Sequence, residues 1–185
     1  MTELKDQSLT VQMPDGHTQA AVPEPEITSQ LVLFTLSDET YGVDIQRVRE
    51  IIRIPEITRI PKTPDFIEGV INLRGGVIPV VDLRKRFNMP AADQARLAET
   101  GRIVVMDMRD WTIGMMVDGV SEVLRVQGGA VEPPSPYIVS ADTRFIAGVV
   151  KDGDRLVVLL DLDAVFFDEE KEQMAGLNQV EAPAG

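Results

Sequence analysis

Cysteine is absent from this 185-residue chain, and histidine occurs once, at His17. The first absence rules out disulfides and thiolate metal sites. The second leaves no ordered histidine for a triad or a zinc cluster, because His17 falls in a stretch expected to lack structure. Aromatic residues make up only 5%, so a core drawn from the 44% hydrophobic content has to be packed by aliphatics. No apolar run approaches the roughly 20 residues that cross a bilayer as a helix, and the opening MTELKDQ has no signal-peptide pattern. Basic residues are in the minority. Eighteen Lys and Arg against 30 Asp and Glu give a formal charge of -12, which argues against wrapping nucleic acid or binding an anionic membrane surface. Phosphate-binding fingerprints are missing too, since Gly75-Gly76 and Gly128-Gly129 are isolated pairs. Asp107, Asp110 and Asp118 read as solvated charges at strand ends and in a turn, not as a carboxylate cluster. No residue is a candidate for catalysis, for a cofactor or for a metal.

What the chain does have is an internal duplication. Phe66–Phe87, FIEGVINLRGGVIPVVDLRKRF, aligns without a gap on Phe145–Phe166, FIAGVVKDGDRLVVLLDLDAVF, at an offset of 79. Phe66/Phe145, Ile67/Ile146, Gly69/Gly148, Val70/Val149, Asp82/Asp161, Leu83/Leu162 and Phe87/Phe166 are identical. Upstream, YGVDIQRVREIIRI at Tyr41–Ile54 lies over IGMMVDGVSEVLRV at Ile113–Val126, at an offset of 72, with Gly42/Gly114, Val48/Val120, Glu50/Glu122 and Arg53/Arg125 identical. Chance likeness of aliphatic strands explains the Val and Ile matches but not the gapless Gly, Asp, Glu and Phe. A repeat this long is a duplicated small domain or half of one, not a solenoid unit.

Short apolar runs between turn signals predict strands over Gln30–Leu36, Thr40–Asp44, Gly69–Leu73, Val77–Val81, Arg102–Met108, Thr112–Val117, Val120–Val126, Ala147–Lys151 and Arg155–Leu160. A break spans Asn88–Gly101, and Asp152-Gly153 marks a tight hairpin. Ile45–Arg53 has one apolar helical face but is open to a strand reading as well. Asp82 and Asp161 are expected to cap short helical segments, Leu83–Phe87 and Leu162–Phe167, and a last helix is expected from Asp168 to about Met174. Residues 1–28 and the final dozen lack apolar periodicity and are expected to be disordered. The fold class is therefore all-β. Repeat 1, about 30–88, and repeat 2, about 102–167, each suit a small closed barrel of about five strands.

The centre of the duplicated segment is where the copies differ. Asn72-Leu73-Arg74-Gly75-Gly76 faces an ordinary polar turn, Lys151-Asp152-Gly153-Asp154-Arg155. Arg74 is an exposed hairpin arginine on the plain reading; its replacement by Gly153 in copy 2 and its place on a strand-supported loop favour function. Glu50 recurs as Glu122, each with an arginine three residues on, which suggests a structural ion pair or a surface role common to both lobes. Pro79 cannot donate to a ladder and suggests an edge strand or a bulge. Lys85 and Arg86 read as a solvated helix face, Met115 and Met116 as core.

YGVDIQRVREII, FIEGVINLRGGVIPVVDLRKRF and IGMMVDGVSEVL together resemble the CheW family of chemotaxis coupling proteins, over about residues 29–168. The resemblance implies two linked SH3-like five-stranded barrels, a fold shared with the regulatory domain of the CheA histidine kinase, and leaves open whether the lobes exchange strands. It implies a cytoplasmic, non-enzymatic adaptor, without cofactor or metal, recruited to membrane receptor arrays. The partners implied are the cytoplasmic tip of a chemoreceptor (a methyl-accepting chemotaxis protein) and CheA. By the same resemblance Arg74 matches the arginine of receptor contact, with Glu50, Val48, Asn72 and Gly75 on the coupling surface. Gly76 departs from the aliphatic residue that relatives often carry there. An adaptor of a chemosensory-like pathway governing pili, surface sensing or development, and a barrel binding a small ligand, are the alternatives.

Overall fold

Two four-residue runs, Leu31-Val32-Leu33-Phe34 and Ile103-Val104-Val105-Met106, are apolar at every position, which in a strand of period two means burial on both faces. In the computed structural model, which describes residues 27–135 and 143–179, they form the middles of β1 (Ile27–Leu36) and β6 (Arg102–Asp107). None of the eight is more than 3% exposed. The first half adds β2 (Glu39–Asp44), a 3₁₀ turn at Ile45–Arg47, β3 (Val48–Arg53), β4 (Ile67–Leu73), β5 (Gly76–Asp82), α1 (Leu83–Arg86) and α2 (Gln94–Thr100). The second adds β7 (Thr112–Val117), β8 (Gly119–Gln127), β9 (Val131–Glu132), β10 (Ile146–Asp152), β11 (Arg155–Leu160), α3 (Leu162–Val165) and α4 (Asp168–Asn178).

The two sheets do not divide the chain at its middle. One has the order β3-β6-β7-β5-β4 and the other β8-β1-β2-β11-β10-β9. Strands β1 and β2 therefore sit with strands of the second half, and β6 and β7 with strands of the first. Each exchanged strand shows one face to a barrel interior and the other to a core between the lobes. Ile103 and Val105 pack with Ile71, Ile78, Val80 and Met116, while Leu31 and Leu33 pack with Val126, Val150 and Val157. The alternate residues Val32, Phe34, Val104 and Met106 join the central cluster.

The duplication holds at the level of individual pairings. Val32↔Val123 in β1–β8 corresponds at offset 72 to Val104↔Ile51 in β6–β3, and both ladders slip at the same place, beside Glu122 and Glu50. Asp82 N–H donates to Phe66 O at 2.8 Å, and Asp161 N–H to Phe145 O at 2.7 Å. The repeated phenylalanines then pair across the lobes. Phe66 meets Phe166 with ring centroids 6.2 Å apart, and Phe87 stacks on Phe145 at 4.0 Å.

Several expectations need correction. Ile45–Arg53 resolves into the 3₁₀ turn and strand β3, because β-branched Val48, Ile51 and Ile52 suit the ladder that β6 offers. The break at 88–101 holds helix α2, capped by Asp93, whose carboxylate accepts from the N–H groups of Ala95 and Arg96. Helix α4 runs four residues beyond Met174, to Asn178. Strand β1 begins at Ile27, inside the stretch expected to be disordered; the rest of that stretch, with His17, and the end of the C-terminal tail lie outside the described residues. Strand β9 was not expected at all. Strand β5 is not at an edge but lies between β7 and β4, despite Pro79. Asp118 is not solvated: at 6% exposure it receives a two-pronged guanidinium from Arg84 and the N–H of Ser37 at 2.7 Å. Arg86 is not solvated either. Its guanidinium lies 5.0 Å from the Phe66 ring centre and donates to Val165 O at 2.8 Å, and burial pushes its pKa down. Lys85 does face solvent, bonded to Glu68. Asp82 and Asp161 cap α1 and α3 as expected, and Met115 and Met116 are buried.

Candidate functional site

The β4–β5 hairpin closes with the pair Leu73↔Gly76, so its two turn residues are Arg74 and Gly75. Both have positive φ, 53° and 86°, as a two-residue hairpin turn of matching twist requires. Asn72 holds the turn, its Oδ1 accepting from Gly75 N–H at 3.0 Å. A side chain in this region costs about 1 kcal/mol relative to glycine. In the other lobe the β10–β11 turn consists of Gly153 and Asp154, one residue later than Asp-Gly suggested, and the residue at φ 59° is Gly153. Arg74 thus occupies a conformation that its counterpart leaves to glycine.

Neither glutamate pairs with the arginine three residues on. Glu50 pairs with Arg74, Nη2 to Oε2 at 3.0 Å, and not with Arg53. Its counterpart Glu122 pairs with Arg155 at 2.7 Å, and not with Arg125. Both glutamates keep an arginine, but from different places. Arg155 aligns with Gly76 in the strand, is also bonded to Asp152, and has a side chain 36% exposed. In the first lobe the strand position is glycine and the arginine stands at the tip of the turn with 78% of its side chain exposed, beside a Glu50 that is 19% exposed. An exposed pair of this kind contributes about 0–1 kcal/mol to stability.

Beside the pair runs a groove of about 300 Å³, with Arg49, Glu50, Arg74, Val77, Thr112 and Asn178 on its walls. Arg49 is held by Asp107 at 2.7 Å. Glu50, Asn72, Arg74 and Gly75 therefore come together as one exposed feature, and a Cβ on Gly75 would meet nothing within 4 Å. Val48 stands apart: it lies two residues back along β3 and packs against the central core. Thr112 and Asn178 were missed. Thr112 recurs as Thr40 in the repeat, which is a faint signal, whereas Asn178 sits in a stretch with no local pattern.

The barrel interiors are filled with aliphatic side chains and methionine. Among the described residues no group of His, Asp and Glu is arranged to hold a metal ion, and no helix is long and apolar enough to cross a membrane.

A family model described as CheW-like domain matches residues 30–170. The chemotaxis protein CheW of Klebsiella aerogenes is 35% identical over 144 residues, covering 78% of this chain and 85% of the relative. That of Treponema pallidum is 34% identical over 149 residues, covering 80% and 88%. Among solved structures, the scaffolding protein TtCheW of Thermoanaerobacter tengcongensis matches with a TM-score of 0.70 and 38% identity, over 80% of this chain and 97% of that one. With its two SH3-like barrels and this level of identity, the chain belongs to the CheW-like domain family of chemotaxis scaffold proteins.

Proposed function

We propose that the protein is a non-enzymatic adaptor that couples the cytoplasmic tip of a chemoreceptor to the CheA histidine kinase, with the receptor docking at the Arg74–Glu50 groove. Its place would be the cytoplasmic side of membrane receptor arrays. The observation that carries the reading is the displaced arginine. A side chain kept at positive φ, against the glycine of the symmetric turn, gains the protein almost nothing in stability. What it does gain is a planar fork of five donors presented to solvent at the mouth of a groove. A helical hairpin laid along such a groove would offer carboxylates and amides to that fork and an apolar side chain to the half-buried Leu73. A kinase domain of the same two-barrel fold would bind elsewhere, so that both partners are held at once.

Arg74→Glu reverses the charge and leaves Glu50 facing a like charge. Capture of a receptor cytoplasmic fragment should be lost, with the melting midpoint moved by no more than about 2 °C. Capture at the native level by the folded variant would remove the receptor from this groove.

A further inference from the structure

Helix α4 breaks the molecule's two-fold pattern. It packs on β5 and β7 in the first lobe, where Val77 is 6% exposed, whereas the counterpart Leu156 in the second lobe is 58% exposed. The reason for that choice lies in the sheet. Val70 N–H and C=O both bond to Thr58, at 2.9 Å each, so Pro79, which is paired with Val70, turns its backbone away from β4 and towards β7. Proline has no N–H to give there. The parallel β5–β7 ladder accordingly begins only at Val80↔Gly114. In the second lobe Val158 replaces Pro79, and the matching ladder, also of three pairs, is displaced two residues towards the hairpin, taking in Val158↔Tyr41 and Val157↔Thr40. Below Pro79, then, two strands lie side by side without a ladder, and their carbonyls need a donor. Asn178, at the end of α4, supplies it: its Nδ2 donates to Val77 O at 2.9 Å and to Thr112 O at 3.0 Å. The same three residues line the groove beside Arg74 and Glu50.

We infer that α4 forms one wall of the Arg74–Glu50 groove and that Asn178 is the positioning residue of that site, closing the gap in the sheet that Pro79 opens. The role in docking rests on the receptor reading above; the closing of the gap does not. Pro79 keeps the strands apart so that a helix, rather than a strand pairing, completes the groove. In the second lobe the ladder reaches these positions, no helix among the described residues is seated, and the arginine lies back along the strand.

The test is a double-mutant cycle of Asn178→Ala and Pro79→Val in the full chain, with Arg74→Glu alongside. Binding is measured to a receptor cytoplasmic fragment and hydrogen exchange across 77–80 and 112–114. Asn178→Ala should weaken binding about tenfold and speed exchange at the gap, both well below the melting temperature. Pro79→Val, which places the second lobe's residue in the first, lets the ladder close; in that background Asn178→Ala should change exchange and binding by less than about twofold. Native binding by Asn178→Ala while Arg74→Glu fails would overturn the positioning role. Unchanged exchange at the gap in Asn178→Ala would overturn the closing role, whatever Arg74→Glu does. Should Arg74→Glu bind normally, the receptor reading falls with the docking role, and exchange alone decides whether Asn178 closes the sheet.

Discussion

Glu50 and Glu122 hold the same place in the repeat, yet the arginines they hold are two alignment positions apart. The repeat made both glutamates conspicuous in the sequence and Arg74 suspect, since the unrepeated turn stood out against an identical frame. It could not say which arginine each glutamate would meet. Arg53 and Arg125 were the local candidates, but the observed partners arrive across the barrel, 24 and 33 residues along the chain. The same limit hid Asp118, whose burial depends on Arg84, 34 residues away, and Arg86, whose aromatic surroundings come from both lobes. At Arg74 the local demand and the proposed functional one oppose each other, which gives a direct test. Arg74→Gly relieves about 1 kcal/mol of backbone strain and gives up an exposed pair of similar worth. Urea unfolding should therefore place it within about 1 kcal/mol of the native chain, while receptor binding drops as it does in Arg74→Glu. A variant that lost stability by several kcal/mol would mean that Arg74 is retained for folding.

Most strands were legible from alternation and turn residues, with ends displaced by three residues or fewer. The features that escaped were those fixed by another element. Strand β9 is two residues long and exists because β10 offers it an edge; its counterpart in the first half is a single bridge, Thr58↔Val70. The repeated glycines explain why these crossings are so close. A Cβ on Gly69, at φ 146°, would lie 2.1 Å from Thr58 O, and one on Gly148 would lie 2.8 Å from Glu132 O. Neither neighbour can give way, since each is backbone bonded into the crossing. Gly69→Ala should accordingly cost about 3 kcal/mol in chemical denaturation, from strain and displaced backbone together. A cost below about 1 kcal/mol would show that the Thr58 segment simply lifts off. Pro79 lacks an N–H for a ladder, yet the edge strand or bulge that this suggests is not what forms: β5 is internal and Pro79 pairs with Val70. The structure accommodates it inside a sheet because the donor comes from α4, a helix about 100 residues further on.

On the scale of the molecule, the exchange of strands decides how the two lobes stand or fall. A duplicated chain could have folded as two independent barrels, each from its own repeat. Here β1 and β2 complete the barrel of the second half, β6 and β7 that of the first, and one central cluster takes residues from both. Neither lobe can come apart without withdrawing strands from the other. Leu31 and Ile103 offer a matched pair of probes, equivalent at offset 72, 2% and 0% exposed, each in a barrel interior on an exchanged strand. Leu31→Ala and Ile103→Ala should each cost about 2–5 kcal/mol. Because the lobes share their strands, each should shift one cooperative transition, seen alike by far-ultraviolet circular dichroism and by Trp111 fluorescence. Trp111 packs against the central core, so its signal reports the seam between the lobes and not one barrel alone. If the lobes were independent, Leu31→Ala would instead split the unfolding curve, the second lobe melting early while the first kept its native midpoint. A single shifted transition in both variants means that a disturbance in either barrel is felt at the seam, and through β5 and α4 at the groove beside Arg74.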